Sequence, residues 1–191
     1  MGPDPVVLLV GLYRVAGSLL VLRWPFWGGV VAVACDLFDL LLFDIAVRYG
    51  GWTGFNGYQA FDKWADQVYL GAFLVVALRT FQRGPRLMAA GLWLFRLLGF
   101  VAFETGLAPR EALFLSPNVF EFWFLVVAFT MRYRPTFTWT PARAVLVLAG
   151  LFVAKLAQEW ALHVARLFDS MTFLDAIGAI WQTVASLLRG R

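Results

Sequence analysis

Apolar residues in this chain come in blocks so long that length, more than periodicity, identifies the elements. Residues 6–22, 26–47, 58–78, 87–107, 112–131 and 144–164 are each predominantly apolar, over stretches close to the roughly 20 residues an α-helix needs to cross a bilayer. A last run, 172–188, is shorter, carries Asp175 and Gln182, and reads as a seventh span or an interfacial amphipathic helix. Turn-forming residues punctuate the blocks: Trp24-Pro25, Gly50-Gly51 with Gly54 and Gly57, Gly84-Pro85, Pro109, and the stretch from Pro135 to Pro141. The predicted fold is therefore all-α, a polytopic transmembrane helix bundle of six or seven helices forming a single integral membrane domain over residues 1–191. Within it, Gly91 and Gly99 are expected to let neighbouring helices approach closely. Pro117-Asn118 is expected to start the fifth helix, with Asn118 as its N-cap.

Composition strengthens the membrane reading and adds an orientation. The chain is 61% hydrophobic and 15% charged, with mean hydropathy +0.74, too apolar for an ordinary soluble domain. Positive charge is carried almost wholly by arginine, since Lys63 and Lys155 are its two lysines. Arg23, the loop with Arg79, Arg83 and Arg86, and the linker with Arg132, Arg134 and Arg143 share one parity along the predicted helices. Positive charge stays on the cytoplasmic side, so this parity puts the N-terminus and the turn over residues 49–58 outside. The net charge of +4 then reads as a topology signal rather than a solvated basic face, and nucleic acid is not an expected partner. One cysteine, Cys35, and one histidine, His163, argue against an internal disulfide or a Cys/His metal cage. The first apolar run lacks a basic n-region and a small-residue cleavage site, so it is expected to be retained as a span. The expected location is a bacterial or archaeal cytoplasmic membrane, multi-pass.

The departures from apolarity carry the candidate chemistry. Asp36 and Asp39 are three residues apart in one predicted helix, and Asp62 and Asp66 are four apart in the next, so each pair shares one helical face. A short turn joins the two helices, which makes them antiparallel neighbours able to bring the four carboxylates into one pocket. Carboxylates and water suit a hard divalent cation, Mg or Mn, and Asp36, Asp39, Asp62 and Asp66 are the expected metal ligands. The plainer reading is that the acids pair with Arg14, Lys63 or Arg96 and join helices. A charge near the bilayer centre is costly unless paired or hydrated, so Arg96 and Lys155 are expected to compensate buried acids. Arg14, Lys63, Arg96 and Lys155 are also the candidate substrate-binding cations. Lys155, Glu159 and His163 follow at i, i+4 and i+8 on one stripe, an arrangement suited to proton transfer or to orienting a substrate. Asp66, Glu159 and His163 are the candidate catalytic groups.

The region CDLFD…YQAFDKWADQ, preceded by a helix bearing Arg14, resembles the CDP-alcohol phosphatidyltransferase family. Its six-helix enzymes carry D-x2-D-G-x2-A-R, a spacer and G-x3-D-x3-D. Asp36, Asp39, Asp62 and Asp66 match the four aspartates at both internal spacings, and the resemblance covers about the first eighty residues. It implies metal ions held by the aspartates, with Asp66 as base for an attacking alcohol. Leu40, Phe43, Asp44 and Tyr58 depart from the pattern, the spacer is five residues longer, and the arginine parity places the hairpin turn on the face opposite to that family's site.

The functional expectation is a membrane-embedded, divalent-cation-dependent enzyme acting on a lipid-linked or phosphorylated substrate. Its rivals are a cation- or proton-coupled transporter or channel using the same acids, and a helical subunit of a larger membrane complex. The expected partners are the lipid bilayer and a lipid-linked substrate or cation, with assembly into a homo-oligomer left open.

Overall fold

The computed structural model describes residues 4–54, 58–107 and 116–159, together with Gly178, Trp181, Gln182, Ala185 and Ser186. Among these residues every regular element is helical: α1 (Pro5–Leu19), continued by a 3-10 turn (Leu20–Leu22), α2 (Pro25–Gly50), α3 (Tyr58–Thr80), α4 (Arg83–Glu104), α5 (Val119–Tyr133) and α6 (Pro141–Glu159). The expected seventh segment lies outside the described residues, apart from the five in the 178–186 region, which are helical.

Local chemistry sets the helix ends. Asp4 caps α1, its Oδ1 accepting from the backbone N–H groups of Val6 (2.8 Å) and Val7 (3.3 Å), with Pro5 in the first turn. The Trp52 indole donates to Asp4 Oδ2 (2.8 Å), and its ring stacks on Phe43 at 5.3 Å, tying the start of α1 to the end of α2. The Trp52 hydrogen bond, with those from Val6 and Val7, holds the Asp4 carboxyl below the usual carboxylate range. α2 stops at Gly51, whose φ of +65° is left-handed. Gly84-Pro85 is not a break: α4 begins at Arg83, and Pro85 sits in its first turn, where a missing N–H deprives no carbonyl. The chain reverses at Phe81-Gln82 instead.

α3 occupies the middle of the bundle. Leu70, Phe73 and Ala77 on α3 and Phe120, Trp123 and Phe124 on α5 are fully buried, with Phe73 and Phe81 both stacked on Phe124. The Trp123 indole donates to the Pro85 carbonyl (3.1 Å), and its ring packs on Trp139 (5.1 Å). α1 and α2 meet closely: a Cβ at Gly17 would strike Cys35 Sγ, and one at Gly28 would strike the Leu20–Val21 backbone. Gly99 likewise lies against Ser116, whereas nothing among the described residues lies against Gly91.

Among the described residues, three helical stretches are long and apolar enough to cross a membrane: Pro5–Leu22, Arg83–Glu104 and Pro141–Gln158. At most 28% of any of these apolar windows is buried within the protein, so side chains such as Leu9, Leu12, Leu98, Leu146 and Val153 point outward. α2 and α3 have 26 and 23 residues, enough for about 39 and 35 Å, but acids interrupt their apolar runs. α5 has 15 residues, about 22 Å.

Successive helices reverse direction, so Arg23, Arg79, Arg83, Arg86, Arg132, Arg134 and Arg143 gather at one pole. Six of them are exposed and Arg86 is half-buried, and no Asp or Glu lies at that pole among the described residues. The expectation that no solvated basic face exists is therefore corrected: folding collects one that linear sequence disperses.

Candidate functional site: an arginine among four aspartates

Arg14 lies midway along α1, Asp36 and Asp39 one turn apart on α2, and Asp62 and Asp66 one turn apart on α3. The close α1–α2 contact at Gly17 and Cys35 brings these levels together. Arg14 Nη1 donates to Asp39 Oδ2 (2.7 Å) and Asp62 Oδ1 (2.9 Å), and Nη2 donates to Asp66 Oδ1 (2.7 Å) and Asp36 Oδ1. One guanidinium thus takes one oxygen from each of four carboxylates on two helices, a task suited to its planar array of donors and beyond a lysine's point charge. The Ser18 hydroxyl donates to the Arg14 carbonyl (2.6 Å) within α1.

Burial in the cluster is graded. Arg14 and Asp39 side chains are 2% and 0% exposed and Asp66 14%, while Asp36 and Asp62 reach 31% and 35%. The site is sealed on its Asp39 side and open at its Asp36–Asp62 edge. Carboxylate oxygens of Asp36, Asp39 and Asp62 lie within 4.8 Å of one another, and an all-oxygen donor set of this kind matches Mg or Mn. With every acid ionised, the cluster carries three more negative charges than Arg14 offsets. The expected convergence of the two Asp pairs is present, and of the suggested counter-charges Arg14 is at its centre. Lys63 sits with its ammonium 4.3 Å from the centre of the Phe103 ring.

A second buried polar group begins one turn further along α3. The Tyr69 hydroxyl donates to Glu121 Oε2 (2.9 Å), and Asn118 Nδ2 donates to the same oxygen (2.9 Å) and to Tyr69 Oη (3.1 Å). All three residues are buried. Asn118 does stand at the N-cap position of α5, but its side chain makes no cap hydrogen bond; it is committed to Tyr69 and Glu121. Arg96 Nη1 donates to the Ser116 carbonyl (3.0 Å). Lys155 Nζ donates to Gln158 Oε1 (3.1 Å) and lies over the Phe122 ring. Both cations act electrostatically on Glu121, and Arg96 also acts on Asp66. Asn118 Oδ1, Arg96 Nε and Trp93 Nε1 are buried without a hydrogen-bond partner among the described residues.

Of the Lys155, Glu159 and His163 stripe, Lys155 is placed as above, while the Glu159 side chain and His163 lie outside the described residues. Tyr69 was not singled out in the sequence. Its signal is the stripe Asp62, Asp66, Tyr69 and Phe73, with spacings of four, three and four residues along α3.

No protein-family model, curated protein or solved structure matches the chain.

Proposed function

We propose that the chain is a multi-pass membrane protein of six or seven spans whose aspartate cluster takes a divalent cation, Mg or Mn, and serves as the active centre of an enzyme acting on a phosphorylated or lipid-linked substrate. The observation that carries this reading is the charge imbalance of the cluster: four carboxylates meet one guanidinium, and a dication reduces the excess that buried acids otherwise relieve only by protonation. Asp36, Asp39 and Asp62 hold the ion, which supplies positive charge opposite a phosphate. Asp66, hydrogen-bonded to Arg14 and partly accessible, accepts a proton from the attacking hydroxyl, and Arg14 keeps the carboxylates in register. Substrate reaches the Asp36–Asp62 edge.

The test is thermal unfolding in detergent. Ligand at a hundredfold excess over its dissociation constant stabilises a folded state by about 2.7 kcal/mol. Millimolar Mn²⁺ or Mg²⁺ raises the wild-type Tm, and Asp39→Asn removes most of that increment, whatever its own baseline. Equal increments in both proteins, or none in the wild type, dismiss the cation.

Cation- or proton-coupled translocation has an observation of its own in favour, the continuation of polarity from Asp66 to Tyr69, Asn118 and Glu121 across α3 and α5. Proteoliposomes separate the two readings. Flux of protons or of the stabilising cation that is abolished by Glu121→Gln favours translocation; cation-dependent stabilisation without flux favours the enzyme.

A further inference from the structure

At the basic pole a cavity of about 400 Å³ opens between the corner joining α1 to α2 and the last turn of α5. Arg23 and Arg132 flank it, and its walls are apolar and aromatic, formed by Trp24, Phe26, Trp27 and Met131. The aromatic wall is braced from behind: the Phe26 ring packs edge-on against Trp27 (5.1 Å), Phe129 (5.4 Å) and Tyr133 (5.6 Å). Trp24 and Trp27 are each more than half exposed, as are side chains that meet lipid rather than a protein core. Neither Arg23 nor Arg132 makes a salt bridge among the described residues. An exposed arginine pair beside an aromatic slot, at a pole with no acid among the described residues, offers charge to a phosphate and apolar surface to the chain attached to it.

We propose that this cavity is a binding site for an anionic phospholipid, with the headgroup phosphate between Arg23 and Arg132 and the acyl chains along Trp24, Trp27 and Met131. Several features select this occupant. Two guanidinium groups match a phosphodiester in charge and geometry. Tryptophan side chains at such a position belong to the interface between headgroups and hydrocarbon. Basic pockets of this kind between helices, on the face that meets the anionic leaflet, recognise acidic headgroups. The first turn of α2 adds to the same field, because it carries no acid and no capping side chain. A zwitterionic lipid brings its own ammonium into the space between the arginines and is disfavoured. The site lies apart from Arg14 and the aspartates, and the proposal rests on the membrane reading alone, not on the cation.

The experiment is native mass spectrometry of the purified full chain in detergent containing equal amounts of phosphatidylglycerol and phosphatidylcholine. Wild type retains phosphatidylglycerol preferentially. Arg23→Gln and Arg132→Gln each lower that retention about fivefold, the factor matching the contribution of one arginine near an anionic lipid. Arg83→Gln, at the same pole but outside the cavity, leaves it within twofold. Equal retention of the two lipids overturns the proposal, and so does an equal loss in Arg83→Gln, which assigns the preference to the basic pole as a whole. Full competition by inorganic phosphate overturns the lipid as occupant. A parallel measurement on the wild type does not depend on the variants folding: phosphatidylglycerol carrying a photoreactive group near its headgroup crosslinks to residues 23–27 or 128–132, and labelling confined to other segments overturns the site. Failure of bilayer association altogether, with the protein pelleting free of lipid vesicles, refutes the membrane reading instead.

Discussion

Asp66 and Tyr69 stand one turn apart on α3, and each belongs to a buried polar network of different construction. Around Asp66 the bonds radiate: one guanidinium reaches four carboxylates, every bond is charge-assisted, and the acids outnumber the cation. Around Tyr69 the bonds close on themselves, since hydroxyl, amide N–H and carboxylate bond one another in a triangle, and two cations act on its one acid. A radial network fails all at once if its hub is removed. A cyclic one that loses a member loses two bonds and keeps the third between the remaining pair. The first carries an excess of acids over its one cation, and the second joins α3 to α5.

Removing the hub is the largest predicted effect. Breaking a buried ion pair by deleting one partner costs about 3–5 kcal/mol, and Arg14→Leu strands four acids at once, so little monodisperse protein should survive purification. Arg14→Lys restores the charge but not the fork and falls between. A Tm for Arg14→Leu equal to wild type would show that the acids do not depend on the arginine. Opening the triangle is smaller: Tyr69→Phe deletes the hydroxyl that donates to Glu121 and accepts from Asn118, leaving the Asn118–Glu121 bond, and leaving buried polar groups less satisfied costs about 1–3 kcal/mol, read from Tm in the same detergent. If it matches Arg14→Leu, the distinction between hub and cycle collapses. Gly99→Ala pushes a methyl into Ser116 and should cost about 1–3 kcal/mol as overpacking, while Gly91→Ala, with nothing against it among the described residues, should be neutral or slightly stabilising through helix propensity.

The smallest effect is a pH dependence at the end of α1. Asp4 titrates lower in the folded chain than unfolded because Trp52, Val6 and Val7 hydrogen-bond its carboxylate. The stability it contributes is fully present above the unfolded value, about pH 4, and is lost as pH falls through the lowered folded value. Trp52→Phe should move the Asp4 titration, followed by carboxyl NMR, upward toward the ordinary value. An unmoved titration would assign the shift to the α1 backbone amides.

The helices were legible because apolar length survives in the linear order, and each Asp pair was legible because its spacing is that of one helical turn. Convergence on Arg14 was not. Sequence offered Arg14, Lys63 and Arg96 as equal counter-charges, and the choice depends on the depth at which α1 meets α2, set by the contacts of Gly17 with Cys35 and Gly28 with the 3-10 turn. Tyr69 escaped notice because a tyrosine in an apolar run resembles an interfacial ring, and only the spacing from Asp66 marks it as polar. Asn118 fits the composition of an N-cap, yet a tertiary partner outcompetes the local one. That the basic loops share one side was legible from their parity, whereas their forming an exposed face with no acid among the described residues was not.

The position of Arg14 also constrains how the protein is made. Emerging from the ribosome before α2 and α3, α1 is a stretch of mean hydropathy 2.0 with a guanidinium in its middle, and a lone arginine at the centre of a bilayer costs about 2.5–3.5 kcal/mol by insertion scales. The groups that neutralise it arrive 22 to 52 residues later, on α2 and α3. On the multi-pass reading proposed above, α1 would wait at the insertion machinery or the lipid interface until the next two helices are available, and α1, α2 and α3 would enter the bilayer as one unit.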